Sequence, residues 1–328
     1  MKQHKMNWTA WIGVMGLTAV LLFTLFWLAA NRTSAAPTAT VNLCTLPGAR
    51  IDVGDFSHEG DDLVVGGCQG EINGSHAFNS LTVQTGSTLV HSDTLTVSLT
   101  INTNATVETG GSINLTGRGY AGGTAGYDPG DGPGGGQIGD GTGGGGGHGG
   151  FGGARLNNFV QAGDAYGDPY RPTTIGSGGA SCAANSFCSA PGGNGGNGGG
   201  AVHLAVAGNL TIDGSILANG ANAAFVNGII PGSGGAGGSI WLEAATLSGG
   251  GQILADGGSG TGVRKVGGGG GRIAIYAASN SFSGTISAQG GQTELDPPNT
   301  SYDSAAGAGT IYLRDTDEYS MNRDLPTF

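Results

Sequence analysis

The sequence predicts an all-β fold, a parallel β-helix whose strands are joined by glycine-rich segments of polyproline II type. Three observations predict it. Four aligned strands recur at intervals of 33–38 residues, a second strand follows three of them after 13–14 residues, and Gly dominates the chain, at 71 of 328 residues. Charged residues are 11% and hydrophobic ones 38%, below the roughly 25% and 45–50% of ordinary globular domains. An ordinary globular enzyme is therefore disfavoured, and the low charge argues equally against an electrostatically expanded disordered chain.

Residues 1–35 read as an export signal. Lys2 and Lys5 precede an uncharged apolar run from Ile12 to Ala30, and Thr33-Ser34-Ala35 supplies the small residues of a cleavage site. The alternative is an uncleaved membrane anchor, since the run is just long enough to span a bilayer. Either way the body of the chain is expected outside the cytoplasm, secreted or on the cell surface. Removing residues 1–35 takes away Lys2, Lys5 and Arg32, leaving nine basic against 23 acidic residues and a formal charge of −14. Lys265 is then the one lysine, so the basic surface that nucleic acid requires is missing.

Residues 36–77 read as an N-terminal segment tied by a disulfide, and 78–119 as the first rungs, with SLTVQTGSTLV and DTLTVSLT as strands. Leu99 precedes Ile113 by 14 residues, the interval of the later strand pairs. Residues 120–200 form a glycine-rich insertion: 21 of the 37 residues from Gly117 to Gly153 are Gly. Residues 201–314 carry the clearest repeat, in which GGGAVHLAV, GGSIWLEA, GGRIAIYA and AGTIYLRD align and make Val202, Ile240, Ile273 and Ile311 equivalent. Their alternating apolar positions have the period of two of a half-buried strand. Ile216, Ile253 and Ile286 mark the second strands.

One such unit cannot bury its apolar face alone, so neighbouring units are expected to stack. An antiparallel β-sandwich is the alternative. The glycine runs recur in register with the strands, so we expect them to pack, finding hydrogen-bond partners in one another or in the strands; a flexible linker is the rival reading. Residues 315–328 are a polar tail or cap.

Four cysteines in an exported chain favour two local disulfides, Cys44–Cys68 and Cys182–Cys188. Two acidic clusters are candidate calcium sites: Asp52, Asp55, Glu59, Asp61 and Asp62, and a second of Asp128, Asp131 and Asp140, where turn carbonyls offer further hard ligands. Neither fits a known calcium loop, and solvated loops are the competing reading. His58, His76, His91, His148 and His203 show no metal-ligand spacing and are expected to be surface or stacked residues. GRGYAG at Gly117–Gly122 matches a dinucleotide-binding pattern, but the glycine-rich stretch after it cannot supply the helix such a site needs. The acids Asp213, Glu243, Asp256 and Glu294 fall at different repeat positions, whereas a glycosidase needs two carboxylates about one bond.

GGSIWLEAATLSGGGQILADGG (Gly237 to Gly258) and GGGRIAIYAASNSFSGTISAQGG (Gly269 to Gly291), with YGDPYRPTTIGSGG (Tyr166 to Gly179), resemble the glycine-rich repeat regions of secreted, adhesin-like bacterial surface proteins. The resemblance covers about Leu99 to Arg314 and implies a β-helical architecture and surface display. It carries no catalytic residues. The expected function is structural or adhesive, without catalysis and without a cofactor other than structural calcium. The expected partners are a surface polysaccharide or further copies joined end to end, with no nucleic acid and a membrane only if residues 1–35 stay attached. The alternatives are a polysaccharide-binding or polysaccharide-cleaving β-helix and, since a regular Thr ladder is missing, more remotely an ice-binding protein.

Overall fold

The computed structural model describes residues 39–124, 128–139, 143–155, 161–181, 193–224, 232–260, 266–293 and 303–315. The expected export signal, the expected Cys182–Cys188 disulfide and the tail from 316 onward lie outside the described residues. Among the described residues, no helix is long and apolar enough to cross a membrane.

Strands are numbered along the chain. A ten-stranded sheet holds β1 (Thr40–Asn42), β3 (Asp62–Val65), β5 (Gly74–Phe78), β6 (Ser80–Val83), β8 (Val97–Ile101), β9 (Ala105–Val107), β12 (Ala201–Ile212), β14 (Ser239–Ser248), β16 (Arg272–Asn280) and β19 (Thr310–Asp315). A seven-stranded sheet holds β2 (Arg50–Ile51), β4 (Gln69–Ile72), β7 (Thr88–Val90), β10 (Ser112–Asn114), β13 (Ser215–Leu217), β15 (Gln252–Leu254) and β17 (Thr285–Ser287). Every pairing in both sheets is parallel, so the fold is all-β but not an antiparallel sandwich. Among the described strands, β11 (Ala154–Arg155) and β18 (Asp303–Ser304) pair antiparallel.

The chain alternates between the two large sheets, and the register is that of the sequence repeat. Val202 pairs with Ile240, Ile240 with Ile273, and Ile273 with Ile311; in the other sheet Ile113, Ile216, Ile253 and Ile286 align. The expected equivalence of Leu99 with Val202 is off by two: Val97 pairs with Val202, and Leu99 with Leu204. The difference lies in the turns, because Glu108–Gly111 connects β9 to β10 where the shorter Asp213-Gly214 connects β12 to β13. Strands also begin at Thr40, within the segment read from sequence only as disulfide-tied. Alternate side chains of both sheets turn inward into one hydrophobic cluster running from Leu43 to Ala288. Each fully buried Leu or Ile there is worth roughly 1.5–3 kcal/mol.

Beyond the sheets the glycine segments pack in rows. One row follows the short strands (117–123, 218–224, 255–260, 288–293), and a second, running the opposite way, leads into the long strands (193–200, 232–238, 266–271, 305–309). The insertion adds a third row, in which Gly176 and Gly179 donate to the carbonyls of Gly199 and Gly196. Segment 232–238 shows the rule. Ser233 and Ala236 donate to Ala180 and Ser177, Gly234 and Gly237 to Val266 and Gly269, and Gly235 and Gly238 to Ala221 and Ala218, at 2.6–3.1 Å. Bonds therefore turn to a new neighbour with each residue and return every third, the period of polyproline II, which makes no hydrogen bonds of its own. GRGYAG opens the first row, with no helix after it. The part of the insertion from 143 to 153 is packed as well, Gly149 donating to Gly270 and Gly153 to Gly267 at 2.9 and 2.8 Å.

Glycine is required here by contact. A Cβ on Gly235 would lie 2.0 Å from the carbonyl oxygen of Asn197, and one on Gly238 1.9 Å from that of Gly200. On the first row, side chains take over where no further glycine segment lies. Asn219 and Asn222 accept from the N–H groups of Asp256 and Ser259 (2.8 and 2.7 Å), which in turn accept from those of Gln289 and Gln292 (2.6 and 3.2 Å).

The two ends of the stack differ. At the N-terminal end a 3₁₀ turn (Leu43–Thr45) inserts the fully buried Leu43 over Gly70, and the Cys44–Cys68 disulfide fastens that turn to the chain leading into β4. Closing this 24-residue separation restricts the unfolded chain by about 3.5 kcal/mol in the loop-entropy account. At the other end, Ile311 and Leu313 are 45% and 53% exposed although their register partners Ile273 and Ile275 are buried.

Gly235→Ala is expected to destabilise by about 1–3 kcal/mol or more, because backbone rather than a flexible side chain must yield. Gly250→Ala, whose Cβ would come no nearer than 3.8 Å to Ser283 Oγ, is expected to change stability by less than about 0.5 kcal/mol. Denaturant melts of the two variants check this.

Candidate binding face

Strand alternation that buries Val202, Leu204 and Val206 turns the intervening residues of the first sheet outward. Two rows cross that face. One is Ser75, Ser98, His203, Trp241, Ala274 and Tyr312; the other is Ala77, Thr100, Ala205, Glu243, Tyr276 and Arg314. Small residues thus give way to rings and charges over β12, β14, β16 and β19. The His203 and Trp241 rings stack with centroids 3.8 Å apart and planes 20° from parallel. Ser98 Oγ lies 3.1 Å from His203 Nδ1, and Glu243 Oε2 3.4 Å from its Nε2. Trp241 Nε1 is shielded and, among the described residues, is the one buried side-chain polar atom lacking a hydrogen-bond partner.

A loop of the insertion, residues 166–175, brings a further ring to this face. Tyr170 is 55% exposed and meets Tyr312 edge-on at 4.9 Å. Its carbonyl accepts from Tyr276 Oη at 2.7 Å, and the Tyr276 and Tyr312 rings lie 5.6 Å apart. Burial raises the Tyr276 pKa above the ordinary phenol value, keeping that hydroxyl a donor.

A buried polar clamp under the loop holds it in place. Arg272 donates from Nε to the Tyr166 carbonyl (2.8 Å) and from Nη1 to Thr310 Oγ1 (3.1 Å). Burial holds its guanidinium pKa below the usual value. His148, fully buried, donates from Nδ1 to the Gly237 carbonyl and accepts at Nε2 from Thr174 Oγ1, both at 2.8 Å. Tyr166 Oη donates to the Ile175 carbonyl and accepts from Ser177 Oγ. Burial raises the Tyr166 pKa. Sequence reading missed this clamp, since its side chains come from four distant segments, at 148, 166–177, 272 and 310; the YGDPYRPTTIGSGG stretch was its one visible signal.

The histidines depart from the expected surface placement. His203 is stacked as expected, but His76, His91 and His148 are buried. His91 lies against Gly200, where a Cβ would fall 2.2 Å from Nε2, and that nitrogen accepts from the Ala201 N–H. His76 sits between Glu59 Oε1 and the Asn73 carbonyl, both 3.0 Å away. Glycine neighbours leave room for two of these rings, Gly200 for His91 and Gly167 for His148.

The structure does not gather the candidate calcium ligands. Asp52 pairs with Arg50, and Asp55 accepts from the Ser57 N–H and hydroxyl, which lowers its pKa. Glu59 holds His76 and the Ala77 N–H, Asp61 faces His58 at 3.4 Å, and Asp62 accepts from Asn79 and Ser80. Each carboxylate serves a different local partner. Among the described residues no three His, Cys, Asp or Glu side chains converge as a metal group. In the second cluster Asp128 accepts from Thr124, the Asp131 carbonyl accepts from Gly178, and Asp140 lies outside the described residues. Of the repeat acids, Asp213 accepts from the Gly250 N–H and Asp256 from Ser287 and Gln289; Glu294 lies outside the described residues.

The clamp makes a pH prediction. Burial depresses the His148 pKa to about 4, so between about 6.5 and 4 the unfolded chain takes up a proton that the folded one refuses. The contribution is therefore intact above pH 6.5 and is lost as pH falls toward 4, on the order of 3 kcal/mol in all. Melts from pH 7 to pH 4 are expected to show this slope, and His148→Gln to flatten it.

Comparison with known proteins yields no relative: no family model, no curated protein and no solved structure matches the chain.

Proposed function

We propose that the chain is an exported parallel β-solenoid, secreted or displayed on the cell surface, with a structural or adhesive role and no catalysis. The solenoid reading is supported by the return of the chain from β12 onward to alternate parallel sheets and by the shared register of its later units. Export is supported by the Cys44–Cys68 disulfide, a bond that persists in oxidising compartments. The observation that carries the non-catalytic reading is the dispersal of the carboxylates: Asp213 and Asp256 each cap backbone N–H groups of the next unit, and Glu243 faces His203. A hydrolase or lyase needs acids and bases converging on one bond. Purified chain is expected to release no new reducing or unsaturated ends from pectin, alginate or glucans, with or without calcium. Turnover abolished by Asp213→Asn, Glu243→Gln or Asp256→Asn would overturn the reading.

Association of copies through the end of the sheet at β19 is a second reading, favoured by the exposed Ile311 and Leu313 on that strand, which among the described residues is the sheet's edge. The N-terminal end is a poorer partner for it. Residues 40–42 already pair with β3 of their own chain, and Leu43 fills their own core. Light scattering is expected to show concentration-dependent dimers that Leu313→Lys dissociates; monomers at all concentrations would rule association out.

A further inference from the structure

We propose that the ring-bearing strip on the outward face of the first sheet is the adhesive surface and that its ligand is an uncharged polysaccharide, an inference that rests on the adhesive reading above. The rings of His203, Trp241, Tyr276, Tyr312 and Tyr170 lie on the outside of the stack, where the core does not need them. Elsewhere the same rows carry Ser, Thr and Ala. The rings are partly open to solvent yet fixed, His203 by stacking on Trp241 and Tyr276 by its bond to the Tyr170 carbonyl. A prearranged surface loses little side-chain entropy on binding, and a rigid ring with a polar edge offers large contact area at low cost.

The chemistry that such a strip recognises is amphipathic: an apolar C–H face to lie against rings and hydroxyls around it to bond carboxylate and phenol oxygens. A pyranose has both. Adjacent strands lie about 4.8 Å apart, so the row from His203 to Tyr312 extends about 14 Å, the scale of a short oligosaccharide. Charge decides against a polyanion. The chain from residue 36 carries −14, and within the strip Glu243 and Arg314 occupy one register row with Tyr276 between them, leaving no field of one sign.

The chain from residue 36 keeps the whole compact unit 39–328 and has Trp241 as its one tryptophan, so its fluorescence reports the strip. It is titrated, by calorimetry and by fluorescence, with soluble xylan, mixed-linkage β-glucan and galactomannan, with alginate as the polyanion, and in parallel is applied to cells bearing the native surface; affinities of the variants are read by calorimetry. The expected result is saturable binding of at least one neutral polymer with a matching fluorescence change and no binding of alginate. Trp241→Ala, Tyr312→Ala and the milder Tyr312→Phe each keep the parent melting transition. The two alanine variants lose about tenfold or more in affinity, whereas Phe151→Ala, an exposed ring elsewhere (59%), loses none. Binding that leaves fluorescence unchanged and ignores the strip variants overturns the site while leaving adhesion standing. Attachment to cells without binding to any neutral polymer overturns the ligand class, and attachment that protease treatment of the cells removes points to a protein instead. Absence of both attachment and polymer binding overturns the adhesive reading itself.

Discussion

The glycine rows outside the two sheets depend on backbone meeting backbone with no side chain between. Three neighbours surround segment 232–238, and its N–H groups reach them in turn. The carbonyl of one segment then occupies the place where a neighbour's Cβ would stand, 1.9–2.0 Å away at Gly235 and Gly238. Glycine is costly to order, by roughly 0.5–1 kcal/mol relative to Ala. A net hydrogen bond contributes about 0.5–1.5 kcal/mol, so the rows hold only because nearly every residue makes one, and because the sheets behind them set the spacing. The ladder of inward apolar residues fixes where each unit begins; the glycine rows inherit that register.

This coupling explains how the described parts of the insertion pack against the rest of the chain. Its described glycine segments add a third row on the same rule, and its described loop of larger side chains, residues 166–175, is secured by Arg272 and His148. The clamp has no carboxylate partner for Arg272 among its hydrogen bonds; carbonyl and hydroxyl oxygens take that part. The result delivers Tyr170 to the face where Tyr276 and Tyr312 already stand.

Much of this was legible in the sequence. Period two within the strands and the 33–38 residue repeat located the register of β12, β14, β16 and β19, since stacked units leave the same apolar positions inward each time. The Cys44–Cys68 pairing was legible from locality. The offset between Leu99 and Val202 was not, because turn length varies without altering the apolar pattern. Strands before residue 78 were hidden by their shortness and the polar turns between them. The acids of Asp52 to Asp62 were close in sequence, yet turns at Gly54 and Gly60 aim them at separate partners. The outward ring-bearing face needed two readings at once, the alternation within strands and the register between them.

The contact that forbids a Cβ at Gly235 also governs how such a chain can change over generations. Single substitutions at the packed glycines of the rows are nearly closed to it, since a Cβ there meets a carbonyl. Whole units are another matter, because each docks on its predecessor through the same register. Lineages built on this plan are free to lengthen or shorten by duplication and deletion of complete turns, while novelty one residue at a time is confined to outward strand positions and the places where the chain leaves the glycine rows.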